Sequence, residues 1–280
     1  MISPIHFIQE KCTDCGLCEP DCPAMAISIA EATISSSCIA CGHCVAICPH
    51  GAMQFNNNDV TKLPQQSVEP EDFEALAKHV RSVRKFTDKD VSEKDIENIV
   101  ELLAQCPSAS NNRNVEITVV TDKNKIREIE RVTSDTLYSF FTLLTRPILK
   151  PLLRLFIRSK EIEKLQYYAQ TFDKKRAQNK EFITFNAPAV ILFHAPKLPT
   201  QSSCADAHIW ATYTSLYAKT RNLGTCFNGF IEQAAKRTKK IHSVCEINPA
   251  HEISCVLLMG HPAVKYTHEV SREKPKVNSV

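Results

Sequence analysis

Eight of the chain's 13 cysteines fall between residues 12 and 48. Residues 12–23 read C-T-D-C-G-L-C-E-P-D-C-P and residues 38–49 read C-I-A-C-G-H-C-V-A-I-C-P, so four cysteines, a glycine and a proline recur at an offset of 26. Each copy is C-x2-C-x2-C-x3-C-P, a spacing suited to a cubane of iron and sulfide. Three thiolates two residues apart on a tight loop can take three corners of one cube, whereas the fourth cannot fold back and reaches the neighbouring cluster. The spacing therefore predicts two [4Fe-4S] clusters. Cys12, Cys15, Cys18 and Cys48 would hold one; Cys38, Cys41, Cys44 and Cys22 would hold the other. Gly16 and Gly42 allow the tight turn, and Pro23 and Pro49 keep the chain from continuing as a helix. Zinc sites and disulfides are the competing chemistries. Zinc ligands usually come as pairs separated by a longer gap, and disulfide scaffolds belong to oxidising compartments. Met1 to Glu10 shows no basic, apolar and small-residue succession of a secretory signal, so an intracellular, cytoplasmic setting with free thiols is expected.

The elements that must position these groups follow from the rest of the chain. A length of 280 residues suggests about two domains. With 43% hydrophobic and 23% charged residues, the composition is that of a globular protein and excludes wholesale disorder. Only six glycines occur, and neither G-x-G-x-x-G nor G-x-x-x-x-G-K-[ST] is present, so no Rossmann dinucleotide site or P-loop is supported. A net charge of +3 gives no reason to expect a nucleic-acid partner. The charge is uneven, however. Residues 1–60 carry Lys11 against Glu10, Asp14, Glu19, Asp21, Glu31 and Asp59, leaving the remainder basic.

The polar, proline-containing stretch near residues 56–71 marks a boundary. The expected organisation is a cluster domain over 1–58, a linker over 59–70 and a second domain over 71–280. Phe73, Leu76, Ala77 and Val80 predict one helix; Ser92-x-x-Asp95 opens another, with Ile96, Ile99, Val100 and Leu103 on one face. Strands are expected at 115–121, 189–193 and 253–259, with a buried helix near 205–221. Mixing without regular β-α-β alternation predicts an α+β fold.

Residues 1–55 resemble the two-cluster bacterial ferredoxins. The second domain is similar to the nitroreductase family of FMN enzymes in four segments: Arg81-Ser82-Val83-Arg84-Lys85-Phe86, Pro107 to Arg113, Leu223 to Phe230, and Leu258 to Pro262 followed by Arg272. That resemblance implies FMN, held at its phosphate by Arg81, Ser82, Arg84 and Arg272, since guanidinium and hydroxyl donors match phosphate oxygens. It implies that Pro107, Ser108 and Asn111 meet the ring or ribityl chain, usually of the flavin in a second copy. Cys226, Phe227, Asn228 and Gly229 map onto the loop that faces the ring. Cys226 itself reads as a small buried residue, as do Cys106, Cys204, Cys245 and Cys255. Three positions depart from the family pattern: Val80 where an Arg is frequent, Arg113 for a Gln and Val115 for a Trp.

Arg146, Lys150, Arg154 and Arg158 recur every four residues within the apolar segment 137–158, which reads as a lid or dimer contact ahead of a membrane-surface helix. No run is long enough to span a bilayer. The expected protein is a homodimeric oxidoreductase with two [4Fe-4S] clusters and FMN. It would act on a small-molecule acceptor such as a nitroaromatic or quinone, with a low-potential protein or NAD(P)H as donor. The alternatives are an electron carrier whose second domain only docks a partner, and a flavin-consuming enzyme like the dimethylbenzimidazole synthases.

Overall fold

The computed structural model describes residues 3–146, 148, 159–178, 181–197 and 203–279. The chain divides into two compact units, Met1–Val68 with Ser108–Arg113, and Glu69–Pro107 with Asn114–Val280.

In the smaller unit, β1 (Ile5–Phe7) pairs antiparallel with β4 (Met53–Phe55), and β2 (Ile27–Ser28) pairs with β3 (Thr33–Ile34). A short helix, α1 (His43–Ile47), starts at Gly42. The sequence repeat is written into the backbone. Asp14 and Ala40 have φ of 51° and 54°, Gly16 and Gly42 of 76° and 77°, and Met25 and Gly51 of 47° and 64°. Each pair is 26 residues apart, so both copies turn through the same left-handed positions, which are costly for Asp14, Ala40 and Met25. The core is small: Ile5, Ile27 and Met53 with the thiols of Cys18 and Cys44. A unit of this size buries little apolar surface and ordinarily needs a metal or cross-link to hold it.

The larger unit is built on an antiparallel sheet of order β5-β6-β8-β7, comprising β5 (Glu116–Val120), β6 (Ala189–Pro196), β7 (Gly224–Phe227) and β8 (His251–Gly260). The central strands β6 and β8 are apolar on both faces, as strands sandwiched between helices must be. Val190, Leu192, Val256 and Leu258 pack with α4 (Lys123–Leu144), α7 (Gly229–Ala235) and α8 (Lys240–Val244) through Ile129, Ile231 and Ile241. Ala189, Ile191, Phe193, Leu257 and Met259 face the other way, onto α3 (Glu93–Leu103) and α6 (Ser203–Thr220) at Ile99, Leu103, Trp210 and Ala211. Among the described residues, the other helices of this unit are α2 (Pro70–His79) and α5 (Ser159–Ala177). The fold is α+β, as expected.

Local chemistry sets the helix starts. Ser92 caps α3, accepting from the Asp95 amide and donating to its carboxylate at 2.6 Å. Asp122 caps α4 through the amides of Asn124 and Lys125. Buried Glu130 on α4 accepts from the amides of Phe182, Ile183 and Thr184 and from the Thr184 hydroxyl, which pins the approach to β6.

Several expectations need correction. The helix through Phe73 forms, but none of its residues is buried and Phe73 is 54% exposed. Leu76 and Val80 of its stripe are half-buried, and the helix packs on α6. Cys204, expected buried, is exposed in the first turn of α6. Cys226 and Phe227, mapped with Asn228 and Gly229 onto a loop, belong to an edge strand, Gly224–Phe227. Lys150, Arg154 and Arg158 lie outside the described residues.

Candidate cluster and flavin sites

The cysteines sort into two quartets. Cys12, Cys15, Cys18 and Cys48 line one small cavity, whereas Cys22, Cys38, Cys41 and Cys44 line a second. All eight are free thiols. Backbone amides point at their sulfurs in matching pairs. Ala26 donates to Cys22 Sγ at 3.3 Å and Ala52 to Cys48 Sγ at 3.2 Å; Asp14 donates to Cys12 Sγ and Ala40 to Cys38 Sγ, both at 3.4 Å. Such amides stabilise anionic sulfur. At Cys48, burial would raise the thiol, but the amides of Ala52, His50, Met53 and Gly51 outweigh it and hold the thiol below its ordinary range. Burial pushes Cys18 up, and Cys44 up to about 11, with neighbouring thiolates adding to both. A cationic cluster core would reverse that balance, because a coordinated thiol is deprotonated outright. Four sulfurs about each cavity, with amides aimed at them, fit an iron–sulfur cube.

The flavin candidates divide by strand geometry. Residues 81–86 run beside β7, with Ser82 bridging Thr225 and Phe86 bridging Pro262. Side chains alternate along such a strand, so Ser82 and Arg84 share a face. Both act on the Cys226 thiol, which burial pushes up while Arg84 and Ser82 pull it down. Arg84 lines a cavity of about 650 Å³ together with Cys226, Phe227, Asn228 and Gly229. Arg81 points elsewhere. Its Nη1 donates to the Val80 carbonyl, and it lines a separate cavity of about 470 Å³ with Gly224 and Thr225. Gly224 is required where it stands, since a Cβ would come within 2.5 Å of Val83 Cγ2. Beyond its own turn of chain, nothing lies within 4 Å of where a Gly229 Cβ would sit, so the backbone just past β7 is open.

Other expected contacts are already engaged. Asn228 is buried; its Oδ1 caps α7 at Ile231 and its Nδ2 donates to the Ile183 carbonyl. Asn111 Nδ2 donates to the carbonyls of Ile39 and Ala40, and Ser108 Oγ accepts from the Arg113 amide. The Pro107 carbonyl accepts from Trp210 Nε1. Arg272 is exposed in the C-terminal stretch and lines neither cavity.

One feature of the larger cavity is not legible in the sequence. Its wall is aromatic: Phe140, Phe141, Tyr168, Phe185 and Phe230, with Phe227 at the edge. Phe141 stacks on Tyr168 with ring centres 5.5 Å apart, and Phe230 meets Tyr168 edge-on at 5.8 Å. Arg237 lies 3.9 Å from the centre of the Phe140 ring.

The nitroreductase family profile matches residues 77–261, most of the chain. The chain belongs to the nitroreductase family. Its larger unit is thus a nitroreductase-type oxidoreductase, and residues 11–53 match the 4Fe-4S dicluster domain, so an iron–sulfur domain is fused to it. Solved structures share the nitroreductase fold at low identity. A nitroreductase with bound FMN from Bacteroides fragilis is 15% identical, with a TM-score of 0.55 over 74% of this chain and 97% of its own. A BluB-like flavoprotein from Clostridium difficile is 15% identical, with a TM-score of 0.55 over 72% and 94%. An iodotyrosine deiodinase bound to FMN and 3-iodo-L-tyrosine is 18% identical, with a TM-score of 0.52 over 73% and 97%. No functionally curated protein matches the chain. Among the described residues, no helix of this nitroreductase is long and apolar enough to cross a membrane.

Proposed function

We propose that this nitroreductase passes electrons between two [4Fe-4S] clusters and FMN to reduce a nitroaromatic, a quinone or a similar small acceptor. The clusters supply one-electron steps, and FMN supplies the change to two-electron chemistry. The eight cysteines hold the cubes in crossed quartets, with backbone amides steadying the sulfurs of Cys12, Cys22, Cys38 and Cys48.

Ser82 and Arg84 present a hydroxyl and a guanidinium to the flavin from one face of their strand. Arg81, which lines the separate cavity, and Arg272, which lines neither, are given no contact with it, and the backbone of Cys226 to Gly229 is assigned to the ring. The aromatic wall of Phe140, Phe141, Tyr168 and Phe230 excludes water and offers flat faces to a planar acceptor. No side chain is assigned as acid or base. The donor is a low-potential protein or NAD(P)H, and the working form is a cytoplasmic homodimer.

The observation that carries this reading is the sorting of eight thiols into two cavities on a chain whose other unit is a nitroreductase. Protein purified without oxygen should hold about eight iron atoms, as much sulfide, and one FMN per chain. Once reduced, it should transfer electrons to a nitroaromatic or a quinone. Absence of flavin, or a reduced chain inert toward both acceptors, contradicts the reading.

A further inference from the structure

A second cluster of ligand-type side chains stands at the far end of the sheet from Gly224–Phe227. Glu116 of β5 lies directly opposite His194 of β6, and His251 of β8 lies opposite Pro196. His194 and His251 are buried, with Nδ1 atoms 2.9 Å apart, and Glu116 Oε2 lies 3.9 Å from His251 Nδ1. Two lone pairs do not approach that closely unless a proton or a cation sits between them.

The placement depends on an irregularity. The β6–β8 register slips between Phe193 and His194, where Phe193 faces Cys255 but His194 faces Ile253. Ser254 is the extra residue of a β-bulge. In an unbroken register, alternation would put His251 on the opposite face from His194. The bulge brings both imidazoles and the Glu116 carboxylate onto one face, and bulges characteristically re-aim side chains at sites.

We propose that Glu116, His194 and His251 form a binding site for a divalent transition-metal ion of the zinc or ferrous type. Bonds of about 2.0–2.2 Å from nitrogen and oxygen place tetrahedral ligand atoms about 3.3 Å apart, and the observed 2.9 Å and 3.9 Å straddle that edge. The surroundings are those of ligands held in place. Thr118 Oγ1 is 2.9 Å from His194 Nε2, which fixes that ring from its outer side, and His242 Nε2 is 3.0 Å from the His251 carbonyl. Glu116 is exposed on its side chain, so a fourth position stays open to water, as in sites with three protein ligands. His251 stands five residues along β8 from Val256, whose carbonyl accepts from the amide of the pocket residue Asn228, about 17 Å at the rise of an extended strand. The ion is therefore separate from the nitroreductase pocket.

The test uses the full chain with clusters and flavin loaded, exchanged without oxygen against Zn²⁺ and then freed of excess. It should retain about one zinc per chain with its iron and flavin counts unchanged, and X-ray absorption at the zinc edge should show nitrogen and oxygen neighbours without sulfur. Glu116→Gln, an exposed change that leaves the core alone, and Thr118→Val should each weaken zinc binding roughly tenfold or more. No retained zinc overturns the proposal. So does a sulfur shell, which would place the metal on cysteines such as Cys255, near His208 and Glu232. Zinc affinity unchanged in Glu116→Gln overturns it as well.

Discussion

Cys22 and Cys48 have changed places: each lines the cavity ringed by the first three cysteines of the other's motif. The exchange predicts how double substitutions combine. Cys22→Ser with Cys41→Ser should remove one cluster and leave about four iron atoms per chain, whereas Cys22→Ser with Cys15→Ser should remove both. Iron counts on the two purified variants decide it, and the opposite pattern would mean uncrossed ligation.

Clusters on these cysteines would also hold their unit together. With Ile5, Ile27, Met53 and two alanines, Ala26 and Ala52, buried alongside two thiols, the iron-free unit lacks enough core to fold. Chelation of iron should make residues 1–58 sensitive to protease while the nitroreductase unit resists. Resistance of both units after chelation would show that the fold precedes the metal.

The cysteine repeat was legible because its ligands are local in sequence and its spacing reflects the size of a cube. The central strands were equally plain as apolar runs. The aromatic wall was not, because Phe141, Tyr168 and Phe230 are brought together from three helices, and no local pattern marks a contact so remote in sequence. The split between Arg81 and Arg84 was missed for a different reason. Side by side in sequence they read as one cationic cluster, yet an extended backbone sends positions three apart to opposite faces. Cys226 and Phe227 read as part of a loop because only pairing with β8 defines the short edge strand that holds them.

That split gives a prediction for flavin binding. Arg84→Ala should weaken FMN binding about 10- to 100-fold, the value of a charge-assisted hydrogen bond of about 1.5–3 kcal/mol. Arg81→Ala, on the other face, should cost less. Titration of flavin-free protein with FMN, followed by quenching of flavin fluorescence, measures both. Equal losses would mean that both guanidiniums reach the cofactor.

Glu130 is a structural carboxylate whose removal strands buried amides at Ile183 and Thr184. Glu130→Ala should lower the stability of the nitroreductase unit by about 3 kcal/mol or more, and Glu130→Gln, which keeps one acceptor oxygen, by less. Denaturant unfolding gives the two values.

The relay itself is tested most directly by rapid mixing without oxygen, using a low-potential one-electron donor and following flavin reduction. The account predicts fast reduction in the intact chain, and a rate roughly tenfold or more lower in Cys41→Ser protein that keeps its FMN but has lost a cluster. Equal rates in the two proteins would contradict it, since the flavin would then be filled without the iron.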